Sequence, residues 1–139
     1  MLWEWVTEHL GFDGHKNGKY YVYELVDPRF SPPRTFYVGK GTENRMYQHA
    51  KDMQRLVKTR AGKMKLQPKH KRIIEIRDDG REERYKILFR TDNEAEAYAV
   101  ESKRIESIGL ERLTNETYGH QARTTTIKIT RTVTRRRRA

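Results

Sequence analysis

The sequence predicts an α+β fold: a small, mainly antiparallel three-stranded sheet flanked by helices, in the order strand, strand, helix, helix, strand, helix. Three observations predict it. Residues 20–26 (YYVYELV) and 35–39 (TFYVG) are short runs rich in aromatic and β-branched residues, separated by a proline-rich loop. Residues 42–58 and 68–79 carry apolar side chains at helical spacing instead. A third β-type run, 84–90 (RYKILFR), leads into the strongest helix-start pattern of the chain.

Residues 2–10 (LWEWVTEHL) read as a short amphipathic helix with Trp3, Val6 and Leu10 on one face, ended by Gly11 and Gly14. Lys16-Asn17-Gly18 is a turn. The first strand is stopped by Asp27-Pro28, and the prolines of 28–34 (PRFSPPR) deny that loop strand pairing. Strands one and two should therefore form an antiparallel hairpin with a long loop. Gly39-Lys40-Gly41 reads as a break in the chain, and Thr42 as the N-cap of a helix running to about Lys58, with Met46, Ala50, Met53 and Val57 as its apolar stripe. A basic connector, 58–65 (KTRAGKMK), leads to a second helix that starts near Pro68, carries Ile73, Ile74 and Ile76, and stops at Asp78-Asp79-Gly80. Thr91-Asp92-Asn93-Glu94 is a capping-box pattern opening a helix to Ile108, with Gly109 as its stop. Residues 113–115 (LTN) return as a loop. Residues 125–134 alternate (Ile127, Ile129, Val133) as a strand would, before an arginine-rich tail. The expected organisation is one domain over 19–122, flanked by the helix and turn of 1–18 and a basic strand or tail over 123–139.

Composition narrows the function. There is no cysteine, which excludes disulfides, thiolate metal sites and cysteine nucleophiles and suits a reducing compartment. No apolar run approaches the roughly 18 residues of a membrane-spanning helix. Glu4, Glu8 and His9 interrupt the first apolar residues, so these do not read as a signal peptide. The net charge is +11, and residues 123–139 hold seven basic and no acidic side chains, leaving +4 for the first 122. Such a balance points to a polyanionic partner, most often nucleic acid; the bland alternative is a basic surface with a solubilising tail.

Three groups of residues carry candidate chemistry. On a helical wheel Glu101 falls among Ala97, Tyr98, Ile105 and Ile108, and a carboxylate facing a core is costly unless something pairs with it. It meets a basic side chain, binds a cation, or is solvated by rotation of the helix. Arg45 and His49 are four residues apart and share a helix face. They make either a basic edge or a phosphate clamp beside a proton acceptor. Tyr21 and Tyr23 share one face of the first strand by period two, with Tyr37 on the paired strand. Strand tyrosines usually pack, yet a phenol at the edge of a basic site can also handle an attacking water.

Taken in order, Tyr21-Val22-Tyr23, Tyr37-Val38-Gly39, Gly41-x3-Arg45-x3-His49, Glu101 in NEAEAYAVESKRI, and Asn115 resemble the GIY-YIG nuclease family. Here YVY stands for GIY and YVG for YIG, with Tyr21 in place of the family's first glycine and Val22 in place of its isoleucine. The phrases YVYELVDP, FYVGKG, NRMYQHA and LTNETYGH look most like the branch of LEM-domain nucleases, catalytic domain only.

The resemblance implies a DNA endonuclease with one divalent metal, Mg²⁺ or Mn²⁺, held by Glu101. Arg45 would hold the phosphate, and Tyr23 would position or deprotonate the attacking water, with His49 as the competing base. Tyr37 would orient water or phosphate, Asn115 would brace the site, and Lys40 would contact phosphate. Lys58, Arg60, Lys63 and Lys65 of the connector, with Arg135, Arg136, Arg137 and Arg138, would add salt-sensitive DNA affinity. No recognition helix or zinc finger is visible, so selection of branched, flapped or nicked DNA fits better than reading a long sequence. Two other readings compete: a non-catalytic basic nucleic-acid-binding module, and a sequence-specific restriction- or homing-type nuclease. The retention of both Arg45 and Glu101 argues against the first. The expected setting is intracellular, with DNA: the cytoplasm, or the nucleus of a eukaryote. The sequence does not bear on whether the protein is a monomer or a dimer.

Overall fold

In the computed structural model, which describes residues 18–117, three strands form one antiparallel sheet in the order β2-β1-β3. β1 (Tyr20–Asp27) is central, β2 is Arg34–Thr42 and β3 is Arg84–Thr91. The helix expected over 2–10, the alternation over 125–134 and the arginines 135–138 lie outside the described residues. Among the described residues no helix is long and apolar enough to cross a membrane.

Cross-strand register places Tyr23 opposite Gly39 and Leu25 opposite Tyr37, so these residues share one face of the sheet. On that face Tyr21, Tyr23, Leu25 and Phe36 pack against Met53 of α1 (Gln48–Leu56) and Ile73 and Ile76 of α3 (Pro68–Asp78). On the other face Val22, Val38 and Phe89 pack against Ala97, Val100 and Ile105 of α4 (Glu94–Ile108). Each fully buried aliphatic or aromatic side chain is worth roughly 1.5–3 kcal/mol, so the helices are fastened to the sheet from both sides. The β1–β2 register slips between Leu25 and Val26, which leaves Phe36 without a partner and turns its ring into the tyrosine-bearing core.

Three expectations are corrected. Gly39-Lys40-Gly41 does not break the chain; β2 continues to Thr42, which pairs with Tyr20. Thr42 is therefore not a helix cap. The helical segment begins later, as a 3-10 turn over Arg45–Tyr47 that passes into α1, and it ends at Leu56. Within the basic connector, Arg60–Lys63 forms a turn of helix, α2, whose N-cap Thr59 accepts the Gly62 N–H at 2.9 Å. The start of the last helix shifts as well. Thr91 is the buried end of β3, and Asn93 is the N-cap, accepting from the N–H groups of Ala95 and Glu96. Thr91 keeps a supporting part: its hydroxyl accepts the Asn93 N–H and donates to Glu96. The start at Pro68, the stop at Gly109 (φ 98°) and the long β1–β2 loop are as the sequence predicts.

Candidate active site

The C-terminal end of β2 leads directly into the turn that carries Arg45. That turn is pinned by Tyr21, whose buried hydroxyl donates to the Glu43 carbonyl at 2.7 Å and accepts the Met46 N–H at 3.1 Å. Glu43 sits at φ 49°, the left-handed region, so the chain reverses there and sends Arg45 back over the sheet. The two glycines of β2 leave the room this requires. A Cβ on Gly39 would lie 2.5 Å from the Tyr23 hydroxyl, and one on Gly41 would lie 2.7 Å from the Arg45 Cβ. They read as breakers in the sequence because their reason is tertiary: rings and a guanidinium arm cross close above the strand. Gly39→Ala should displace the Tyr23 hydroxyl, destabilise the fold by about 1–3 kcal/mol and depress cleavage. A thermal melt and a turnover assay both indistinguishable from wild type would disprove that contact.

Tyr23, Tyr37, Lys40, Arg45, His49 and Glu101 all line one cleft of about 640 Å³, so the residues singled out across 79 positions of chain converge. The Tyr23 hydroxyl lies 2.5 Å from His49 Nε2. The Tyr37 ring stands edge-on to the His49 ring, with centroids 4.7 Å apart. Burial, reinforced by Tyr37 and Glu101, holds the Tyr23 phenol well above the ordinary phenol range. Burial first and Glu101 second raise Tyr37 to about 12. His49 moves the other way, down to about 3, because burial and then the Lys69 charge oppose its protonation. A neutral imidazole beside a protonated phenol fixes the roles: Tyr23 donates and His49 Nε2 accepts.

Among the described residues Glu101 is buried without an ion pair. The residue is 6% exposed, and among the described residues its Oε1 has no hydrogen-bond partner. Burial raises its carboxyl to about 7, and the Lys40 charge and backbone offset this only in part. The core carboxylate that does find an arginine is a different one, Glu24, which accepts from Arg104 Nε at 2.5 Å. A buried carboxylate oxygen without a partner, on a residue that lines a polar cleft, is what a hard cation needs as its protein ligand. Among the described residues no three His, Asp or Glu side chains cluster as a metal cage, so a cation here would take Glu101 and fill its remaining positions with water and phosphate oxygens.

Two expected residues stand differently from the others. Lys40 lines the cleft but is already engaged: its Nζ donates to Glu94 at 2.6 Å and sits 4.4 Å from the Tyr98 ring centroid. Asn115 is not among the residues lining the cleft. It makes two bonds to the Val38 backbone, accepting its N–H at 3.0 Å and donating to its carbonyl at 2.8 Å, and so holds the strand next to Tyr37. Lys58, Arg60, Lys63 and Lys65 are exposed on and beside α2, outside the cleft lining.

Sequence reasoning missed Lys69. It lines the cleft from the first turn of α3, 5.0 Å from the Tyr37 ring centroid, and burial lowers its pKa. A signal was present. The first turn of α3 has no acidic residue and instead holds Lys69 and Lys71, the wrong sign for a helix N-terminus. Such a bias costs stability unless an anion offsets it.

The family comparison agrees with this geometry. The model of the LEM-3-like GIY-YIG domain matches residues 20–137. No curated protein and no solved structure matches the chain. The match runs through β1, β2, the Arg45 turn and α4, the elements that build the cleft. The chain thus belongs to the LEM-3-like GIY-YIG family, a group of DNA endonucleases in which metal binding is typical.

Proposed function

We propose that this protein is a Mg²⁺-dependent DNA endonuclease that selects its substrate by structure, at branches, flaps or nicks, rather than by reading a long sequence. The observation that carries the reading is the orphaned carboxylate oxygen of Glu101 in the same cleft as Arg45 and the Tyr23–His49 pair. Glu101 would hold the cation. When bound, that cation supplies positive charge to a phosphoryl oxygen and to the departing 3′-oxygen.

The chain's own residues do the rest. Arg45 binds the scissile phosphate and offsets the charge that builds on its oxygens. The attacking water gives its proton to the Tyr23 oxygen as Tyr23 passes its own to His49 Nε2. The new O–P bond forms, the P–O3′ bond breaks and the 3′-oxygen leaves. Tyr23 and His49 thus act in series, and neither is the base alone. Tyr37 orients the water, and Lys69 adds a second positive charge to the phosphate's surroundings. Lys40 reaches phosphate by exchanging its bond to Glu94. The exposed Lys58, Arg60, Lys63 and Lys65 contribute affinity without sequence preference. The protein acts where DNA is, inside the cell and in the nucleus of a nucleated one.

The test is a cleavage panel of linear, nicked, flapped and four-way-junction DNA, each with Mg²⁺ or with EDTA. Mg²⁺-dependent cutting concentrated on one branched or interrupted substrate is expected. Equal cutting of all four would remove structure selection, and undiminished cutting in EDTA would remove the metal.

A further inference from the structure

Glu24 is a buried charge that the cleavage chemistry does not use. It lies on the central strand, 1% exposed, where an apolar side chain would cost less. Its Oε2 accepts from Arg104 Nε at 2.5 Å and its Oε1 accepts the Thr35 hydroxyl at 3.1 Å. Arg104 is held through Nε, no bond among the described residues engages its two Nη atoms, and the side chain remains 27% exposed. It lines a second cleft, of about 700 Å³, which Arg34, Arg72 and Arg112 also line. Arg34 stacks on Phe30, 4.1 Å from the ring centroid, which fixes its guanidinium plane. Arg72 is tethered more loosely, 3.5 Å from Asp27. Glu111 is the one acidic lining residue. Among the described residues neither Arg34 nor Arg112 has a carboxylate within ion-pair distance.

This cleft is next to the first. Lys69 and Arg72 are three residues apart on α3, and Glu101 and Arg104 are three residues apart on α4. On each helix the first member lines the active cleft and the second lines the arginine cleft. Residues so spaced have Cβ atoms about 5–6 Å apart. Successive nucleotides of one strand advance about 3.4 Å along a duplex. The two clefts therefore adjoin, close enough for one strand to lay different phosphates in each.

Resting on the nuclease reading above, we propose that Arg34, Arg72, Arg104 and Arg112 form a second, non-catalytic site that grips the DNA backbone a few nucleotides from the scissile phosphate. Glu24 serves as the buried anchor that aims Arg104. The site takes a phosphodiester, planar guanidinium groups being matched to its oxygens.

The test uses Arg34→Ala/Arg112→Ala, two exposed positions, and leaves Arg104 in place because its loss would strand Glu24. DNA binding is measured in EDTA across a salt series, and turnover with Mg²⁺ at saturating DNA. The double variant should bind roughly tenfold more weakly, with the log–log salt slope reduced by about two, and should keep the wild-type kcat. Arg34→Lys/Arg112→Lys should keep most of the salt slope. An alanine variant with wild-type affinity and salt slope would overturn the site, even if wild type cleaves DNA. A protein that never cleaves, yet loses salt-sensitive binding in the alanine variant, would leave this site standing and remove the nuclease reading.

Discussion

Glu101→Gln should abolish cleavage and at the same time make the protein more stable. The amide keeps the volume of the carboxyl but carries no charge to hold a divalent cation, so a loss of at least about a thousandfold in kcat is expected. The gain in stability follows from burial. The Glu101 carboxyl is raised from 4.5 to about 7 in the folded protein, so the fold favours its protonated form. Stability from this group is therefore fully present below the unfolded value and is lost as pH rises through about 7. That shift corresponds to about 3 kcal/mol at pH 8. The variant should thus melt several degrees above wild type at pH 8 and match it below pH 5. Added Mg²⁺ should raise the wild-type melting temperature and leave the variant unmoved, a readout independent of catalysis. Cleavage by the variant at the wild-type rate would end the assignment of Glu101 as the metal ligand. By the same linkage, apparent Mg²⁺ affinity should rise with pH up to about 7 and then level off, since the proton and the cation compete for one carboxylate.

Tyr23→Phe and His49→Ala should each lower kcat by about 10²–10⁴-fold while changing KM little. The double variant should be hardly worse than the more damaging single one, because the two groups move one proton and fail as a unit. If the losses multiply, the serial relay is wrong and the residues act separately. The pH profile gives a second check. His49 is held down to about 3, so kcat should show no imidazole limb near 6.5. An inflection there that vanishes in His49→Ala would mean the histidine protonates in the ordinary range and is not kept neutral by its burial and Lys69.

What was legible in the sequence was whatever depends on local period. Period two put Tyr21 and Tyr23 on one face of β1, and the helical wheel put Glu101 on the inward side of its helix; the structure has the shared face and the burial. The starts and stops set by Pro68 and Gly109 were local too. The reading failed where tertiary contacts override local signals. Gly39 and Gly41 are strand residues whose missing side chains make way for Tyr23 and Arg45. Arg45 sits on a 3-10 turn, not in an α-helix, yet still meets His49 at the cleft. The Glu24–Arg104 pair joins residues 80 positions apart, and no spacing rule reaches that far. Lys69 was passed over because a lysine on a polar helix start looks like solvated surface.

The clasp between Asn115 and Val38 has a consequence of its own. β2 is an outer strand of the sheet, and its free side would expose unpaired backbone N–H and C=O groups to any passing chain. Asn115 occupies both groups of Val38, and Thr114 donates its backbone N–H and its hydroxyl to the Phe36 carbonyl. The side-chain amide imitates a neighbouring peptide unit at the strand position beside Tyr37. The return segment therefore satisfies part of the outer edge of β2, which lowers the number of open backbone groups there without adding a strand to the sheet.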